Sequence, residues 1–251
     1  MKKLHLLYVL IFLASLQKTS AQVWFDIGAK GAWGLTSLYN KNVSDDRLYK
    51  YKLNTGYRYG GKLGINFGDH HGIALEGLFA NNNQKWEYST TAKNPNGVDT
   101  LFRNSLNWKS LDMYVLYRYM NDRAFIEIGP RFSKINKIAQ TDSKLPNVAD
   151  VSGFYTPKLL AACFGFGGYL GGSNTFSTQL GIRIEYAFTD FISVGGQNQG
   201  YPNPIRSAAS YTTYKSSNPL SAQVSLEFNF GVGGYAEAAC GRRGFFLMRN
   251  D

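Results

Sequence analysis

The feature that most constrains this chain is a period-two alternation of apolar and polar residues that recurs in eight separate segments. In one of them Leu180, Ile182 and Ile184 occupy one parity, while Arg183 and Glu185 occupy the other. Successive side chains of a β-strand point to opposite faces, so each segment predicts a strand with one apolar and one polar face. The segments span residues 23–36, 57–67, 73–79, 111–119, 125–132, 162–167, 179–188 and 222–230.

The connections between these segments alternate in length. Short turns are expected at Gly68 to Gly72, Met120 to Arg123 and Gly171 to Asn174. Long polar loops are expected at Tyr39 to Gly56, Thr90 to Asn104, Ala139 to Pro157 and Thr189 to Pro219. Outer-membrane barrels combine short periplasmic turns with long external loops. The pattern therefore predicts an all-β chain that folds as an eight-stranded antiparallel up-and-down transmembrane β-barrel, with both termini on the periplasmic side.

A soluble β-barrel or sandwich would show the same alternation with its apolar face turned inward. Charged residues make up only 18% of the chain, against roughly 25% in soluble domains, while aromatic residues reach 15%. Aromatic residues also cluster at strand ends, as they do at the two membrane interfaces. These are Tyr57, Tyr59, Tyr117, Tyr119, Tyr186 and Phe188. The composition therefore favours the version in which the apolar face contacts lipid.

The two ends of the chain lie outside the predicted barrel. Residues 1–21 combine Lys2 and Lys3, a short apolar run and small residues before Gln22, which is the order of a secretory signal peptide. We expect the barrel over residues 22–232 and a periplasmic tail over 233–251. Cys163 lies in a predicted strand and Cys240 in this tail, so they are not predicted to form a disulfide.

The step Ser20-Ala21-Gln22, the eight alternating segments and the step Ile128-Gly129-Pro130 together resemble the PorT-like outer-membrane β-barrel family of Bacteroidota. The resemblance implies an outer-membrane barrel. Some members are associated with secretion or gliding machinery, but no motif here selects that role. The last strand also resembles the signal read by the barrel assembly machinery, a partner expected during insertion, with Phe228 and Phe230 at its alternating aromatic positions.

The polar parity of the strands predicts a set of charged side chains that face the lumen. These are Asp26, Lys30, Arg58, Lys62, Glu76, Asp112, Arg118, Glu127, Arg131, Arg183, Glu185 and Glu227. An eight-stranded barrel has an interior that side chains can just fill, so opposite charges there must pair. We favour a salt-bridged core over an ion path. Arg183 is expected to pair with a carboxylate on its own side of the lumen, where Glu185 lies on the same strand and Glu227 on the next one.

No residue pattern predicts catalysis, a cofactor or a metal. His5 lies in the predicted signal peptide, and His70 and His71 lie in a predicted periplasmic turn, away from the external side where a catalytic base would be needed. Phosphate-binding loops, nucleotide fingerprints and clusters of cysteine with histidine are absent from the sequence. The chain is therefore expected not to be an enzyme.

Tyrosines and basic residues in the predicted loops are candidates for contacts with a glycan or protein, or for anchors beside lipopolysaccharide. They are Tyr49, Lys50, Tyr51, Lys52, Tyr201, Arg206, Tyr211, Tyr214 and Lys215. The net charge of +10 favours attraction to outer-membrane lipids and lipopolysaccharide over nucleic acid, because the chain is expected to be exported. The sequence thus predicts a surface anchor, an adhesin-like protein or an accessory envelope subunit. The alternatives are a narrow pore and a subunit associated with secretion.

Overall fold

The computed structural model describes residues 23–93, 99–121, 123–142, 145–172, 176–199, 201 and 213–232. The predicted signal peptide and the predicted tail lie outside the described residues. Short helices are α1 (Lys41–Asp45), a 3-10 helix (Ser152–Phe154) and α2 (Val194–Asn198). The strands are β1 (Val23–Asn40), β2 (Tyr49–Lys52), β3 (Thr55–Phe67), β4 (His71–Lys93), β5 (Asp99–Met120), β6 (Ala124–Asp142), β7 (Leu145–Asp150), β8 (Lys158–Gly172), β9 (Phe176–Ala187) and β10 (Ser217–Val232).

Eight of these strands form a closed antiparallel ring. Its order is β1, β3, β4, β5, β6, β8, β9, β10, and β10 returns to pair with β1, placing Lys30 opposite Glu227 and Trp33 opposite Val224. Every ring neighbour other than this closing pair is next in the chain or separated from it by one short strand. This confirms the predicted up-and-down eight-stranded barrel. Among the described residues, no helix has both the length and the apolar character to cross a membrane.

Along most of its height the ring is apolar outside and polar inside. Ile27, Tyr59 and Ile182 have exposed fractions of 52%, 58% and 43%, whereas the inward neighbours Lys30 and Arg183 are each only 3% exposed. This reverses the arrangement of a soluble barrel. We call the outward-facing apolar side chains the apolar band; on β3 it runs from Tyr57 to Phe67, and on β5 from Leu111 to Tyr119.

Above the band, β4, β5 and β6 continue, and the polarity of their two faces reverses. On β4 the inward-facing Trp86 and Tyr88 are each 2% exposed, while Lys85 points outward. β2 pairs with β4, and β7 pairs with β6, so both short strands widen this wall. We call this part the external extension. The connections at this end are long, as predicted, but much of their length is β-structure that the alternation analysis assigned to loops.

The inside of the external extension holds a hydrophobic cluster, which we call the upper core. Its rings pack closely: the ring centroids of Tyr49 and Tyr88 lie 5.5 Å apart, and those of Tyr155 and Phe191 lie 4.9 Å apart. The members are Leu38, Val43, Tyr49, Trp86, Tyr88, Leu106, Trp108, Ile138, Val151, Tyr155, Leu159, Phe191 and Ile192. The external extension is therefore organised around a conventional apolar core.

Truncating the upper core should unfold the external extension selectively. We expect Trp86→Ala to destabilise this part by about 3 to 5 kcal/mol, because a large buried ring is replaced by a cavity. Hydrogen exchange should then accelerate in β2, β7 and the tops of β4 and β5. The exposed neighbour Lys85 provides the control, since Lys85→Ala should leave exchange unchanged. Equal exchange in the two variants would contradict the assignment of an apolar core.

Candidate functional site

The twelve charged side chains predicted to face the lumen are all buried inside the ring, and we call them the lumen network. None is more than 7% exposed. The six basic members are Lys30, Arg58, Lys62, Arg118, Arg131 and Arg183, and the six acidic members are Asp26, Glu76, Asp112, Glu127, Glu185 and Glu227. Their formal charges cancel, as buried charges must if desolvation is to be offset.

The centre of the lumen network is a cluster of three carboxylates and three cations. Arg183 Nη1 lies 2.7 Å from Glu76 Oε2, and Arg183 Nη2 lies 2.5 Å from Glu127 Oε1. Lys30 Nζ lies 2.6 Å from Glu227 Oε1 and 3.0 Å from Glu76 Oε1. Arg118 completes the cluster by contacting Glu127 and Glu227. Each of these carboxylates is therefore shared between two or more cations.

The partners of Arg183 differ from those expected. The guanidinium faces the lumen, but it binds Glu76 of β4 and Glu127 of β6 rather than Glu185 or Glu227. The reason is the narrowness of an eight-stranded ring, in which a long side chain reaches the opposite wall. The pairing therefore braces the barrel across its diameter.

A second group of charges lies above this cluster. Glu185 Oε2 accepts a hydrogen bond from Arg58 Nη1 at 2.6 Å and another from Arg131, while its other oxygen accepts one from the Tyr114 hydroxyl at 3.0 Å. Arg58 Nε also lies 3.1 Å from Asp112 Oδ2. Two cations and two carboxylates are thus joined in one neutral group.

A third group lies near the end of the barrel with the short turns. Lys62 Nζ lies 3.3 Å from Asp26 Oδ1, and Asn66 Nδ2 donates to Asp26 Oδ2 at 2.7 Å. Gly64 makes room for this carboxylate, since a Cβ built there would lie 2.2 Å from Asp26 Oδ2. A glycine on the inward face of β3 therefore allows the charged side chain of β1 to lie flat against it.

The central carboxylates are close enough together to suggest a metal site. Oxygens of Glu76, Glu127 and Glu227 lie within 4.8 Å of one another, and all three residues are buried. However, the ammonium of Lys30 and two guanidiniums already occupy the space between them. Since these cations neutralise the carboxylates, the arrangement does not fit a cation-binding role.

The lumen is filled above and below the charged groups. At the end with the short turns, Trp24, Met120, Phe125 and Tyr169 are buried inside the ring, with exposed fractions of 2% to 5%. The guanidinium carbon of Arg118 lies 4.4 Å from the centre of the Phe125 ring. Two lumen cavities, one at each end of the network, have volumes of about 10 Å³, enough for a single water.

The candidate residues outside the lumen fall into different environments. Tyr49 is buried in the upper core, and Tyr51 packs partly buried against it. Lys50 and Lys52 are exposed, as is Lys215. Tyr201 stacks on Phe154, and the Tyr214 hydroxyl donates to Asp190 Oδ2 at 2.5 Å. Arg206 and Tyr211 lie outside the described residues. The exposed lysines are therefore available for external contacts, whereas Tyr49 is not, because it is buried in the upper core.

Sequence reasoning missed a cleft on the outer side of the external extension. Its volume is about 460 Å³, and its lining includes Lys52, Lys85, Glu87 and Arg103. Glu87 binds Lys52 at 2.7 Å and Arg103 at 3.1 Å. The hydrogen bond from Lys52 lowers the pKa of Glu87. The alternation of Lys85, Trp86, Glu87 and Tyr88 could have revealed this wall, because it has an apolar and a charged face.

Comparisons with known proteins return likenesses in structure only. No family model matches the chain, and no curated protein matches it. The chain is similar to the solved structure of neisserial surface protein A, with 9% identity over 81% of this chain and 95% of that one, at a TM-score of 0.39. It is also similar to the outer membrane protein OprG from Pseudomonas aeruginosa, with 12% identity, coverages of 85% and 97% and a TM-score of 0.39.

A third similar structure is Ail, the attachment invasion locus protein of Yersinia pestis. Its identity to this chain is 12%, the coverages are 84% and 100%, and the TM-score is 0.36. All three TM-scores are below 0.5. The assignment of the barrel therefore rests on the strand pairing of this chain and not on these likenesses.

Removing one cation from the lumen network should destabilise the barrel. We expect Arg183→Leu to lower the free energy of unfolding by about 3 to 5 kcal/mol, because Glu76 and Glu127 lose a buried partner. The measurement is the urea midpoint of the protein folded in detergent. Ile182→Leu on the apolar band is the control and should be nearly neutral. Equal midpoints for the two variants would show that the guanidinium contributes nothing to stability.

Proposed function

We propose that the chain is an integral outer-membrane protein with no enzymatic activity, whose barrel is a closed anchor and whose external extension presents a rigid surface. This role covers a surface anchor, an adhesin-like protein or an accessory envelope subunit. The observation that carries the proposal is the reversal of polarity along the barrel. A protein that crosses from lipid into water needs an apolar exterior in one part and an apolar interior in the other.

The dimensions of the apolar band support membrane insertion. From Tyr57 to Phe67, β3 makes ten steps of about 3.3 Å, which at a tilt of about 40° gives a height of roughly 25 Å. That is the height of the apolar band in outer-membrane barrels. Exposed aromatic residues lie at both edges, with Tyr57 and Phe188 towards the external extension and Tyr119 at the other end. The short turns would then face the periplasm.

The filled lumen supports an anchor rather than a pore. A solute would have to displace the lower aromatic residues, the paired charges and the upper core in succession. The central salt bridges have side chains no more than 4% exposed. Breaking one leaves an uncompensated charge, which costs several kcal/mol. We therefore infer that the described part of the lumen is not a diffusion path.

The external extension supports a contact role. It has its own apolar core, and its outer side carries the cleft beside Lys52, Lys85 and Arg103. Rigid, partly basic surfaces of this type suit an anionic glycan or an acidic protein surface, because little ordering is needed on binding. Lipopolysaccharide, a glycan and a protein of a secretion complex all remain candidate partners.

The closed lumen predicts an absence of ion conductance. Protein refolded and reconstituted into a planar bilayer should show no steady single-channel current. A positive control is a porin reconstituted by the same procedure. Reproducible unitary currents from the purified chain would replace the anchor with the narrow-pore alternative.

Membrane insertion predicts a large difference between two substitutions of apolar residues by lysine. Val115 lies within the band on β5, so Val115→Lys should reduce the stability of the bilayer-inserted barrel by about 2 to 4 kcal/mol. Leu53 is 81% exposed on the external link between β2 and β3, so Leu53→Lys should be nearly neutral. Unfolding in lipid vesicles measures both. If Val115→Lys is as harmless as Leu53→Lys, the band does not face lipid.

A further inference from the structure

A patch of four lysines lies on one side of the barrel, directly above the apolar band. On each of three neighbouring strands, the first outward position beyond the last apolar residue is a lysine. Lys109 follows Leu111 on β5, and Lys134 follows Phe132 on β6. On β8, Lys158 precedes Leu160. The fourth member, Lys137, lies three residues beyond Lys134 on β6. All four lysines are exposed.

The strand register places these lysines directly opposite one another. Lys134 pairs with Lys158 between β6 and β8, and Lys109 pairs with Lys137 between β5 and β6, next to a shift in the register of these two strands. Directly opposed residues in an antiparallel pair have Cβ atoms about 5 Å apart, and like charges in such pairs are destabilising. Among the described side chains, none of the four forms an ion pair with a carboxylate. The acidic neighbour Asp150 is hydrogen-bonded to Ser152 and also interacts electrostatically with Lys137, at the upper end of the patch.

The patch is confined to one side of the barrel. On other strands the outward positions at the same edge of the band are uncharged, with Leu35 and Ser37 on β1 and Asn81 after Phe79 on β4. The repulsion between paired lysines is therefore concentrated on one side of the barrel. An anion bound there would contact several cations at once. General attraction to a negatively charged surface would not need such a concentration.

The surface below the patch is suited to acyl chains. Pro130 and Ala162 face each other across β6 and β8, and both point outward. Their short side chains lie between the larger exposed side chains of Phe132 and Phe164. The result is a shallow place in the apolar band, with Phe132 and Leu160 between it and the lysines. Cations above and a shallow apolar surface below suit the two ends of an anionic lipid.

We propose that the lysine patch binds the phosphate groups of a phosphorylated glycolipid in the outer leaflet, with its acyl chains lying along β6 and β8. The lipid phosphates would offset the repulsion between the paired lysines. This inference rests on the proposed membrane insertion. It goes beyond that proposal by assigning one side of the barrel and four residues to one class of lipid.

The test measures lipid binding to protein that has been shown to insert. Wild type, Lys134→Gln/Lys158→Gln and the control Lys41→Gln/Arg47→Gln are reconstituted into phosphatidylcholine nanodiscs. The control removes two exposed basic side chains that lie outside the patch. Native mass spectrometry then follows titration with bis-phosphorylated lipid A and with its dephosphorylated form. Failure of the wild type to insert would refute the proposed function rather than this inference.

We expect wild type and control to bind lipid A equally and in preference to its dephosphorylated form. Lys134→Gln/Lys158→Gln should bind on the order of tenfold more weakly, because two cations near the phosphates are lost. Lys134→Arg/Lys158→Arg should restore affinity. Should the glutamine pair not fold, Lys109→Gln/Lys137→Gln provides the same comparison.

Two results would overturn the assignment. One is equal affinity of the glutamine variant and the control for lipid A. The other is complete displacement of lipid A by inorganic phosphate, which would identify a site for a free anion rather than a lipid.

Discussion

The pairing of charges across the lumen is the interaction on which the rest of the structure depends. Six cations and six carboxylates fill a space too narrow for bulk water, and their neutrality allows the ring to close around them. Because Arg183 joins β9 to β4 and β6, the network connects strands that share no backbone hydrogen bonds. The ion pairs in the lumen thus link strands on opposite sides of the ring. Because the charged side chains are paired inside, the outer face can be apolar.

The reversal of polarity explains how one barrel can be in contact with lipid along one part of its height and with water along another. Below the boundary, inward positions carry charge and outward positions carry leucine, isoleucine and aromatic side chains. Above it, inward positions such as Trp86 and Leu106 are apolar, and outward positions such as Lys85 carry charge. The strands cross this boundary without changing register between β4 and β5, where Leu111 pairs with Phe79 and Lys109 with Asn81. The lysine patch lies at the boundary itself.

The sequence predicts which side chains face the lumen, because this depends only on alternation along a strand. It does not predict which of them pair, because pairing depends on how the ring closes. The inward position of all twelve lumen residues could be predicted, because inward and outward positions alternate in the strand segments that carry them. The partners of Arg183 could not, since Glu76 lies 107 positions away and meets it only across the closed ring. The sequence predicts loops for much of the external extension, because the outward residues there are polar and the apolar residues take the inward positions. It therefore predicts a surface position for Tyr49, although this residue stacks on Tyr88 inside the upper core.

The most direct test of this account is a depth profile along the outward face of β5. Spin labels at positions 105, 107, 111, 113, 115 and 117, in a background without cysteine, would report access to oxygen and to a water-soluble nickel complex. We predict that positions 111 to 117 are accessible to oxygen and protected from nickel, and that positions 105 and 107 show the opposite. Uniform access of nickel along the strand would contradict the account, since the apolar band would then face water.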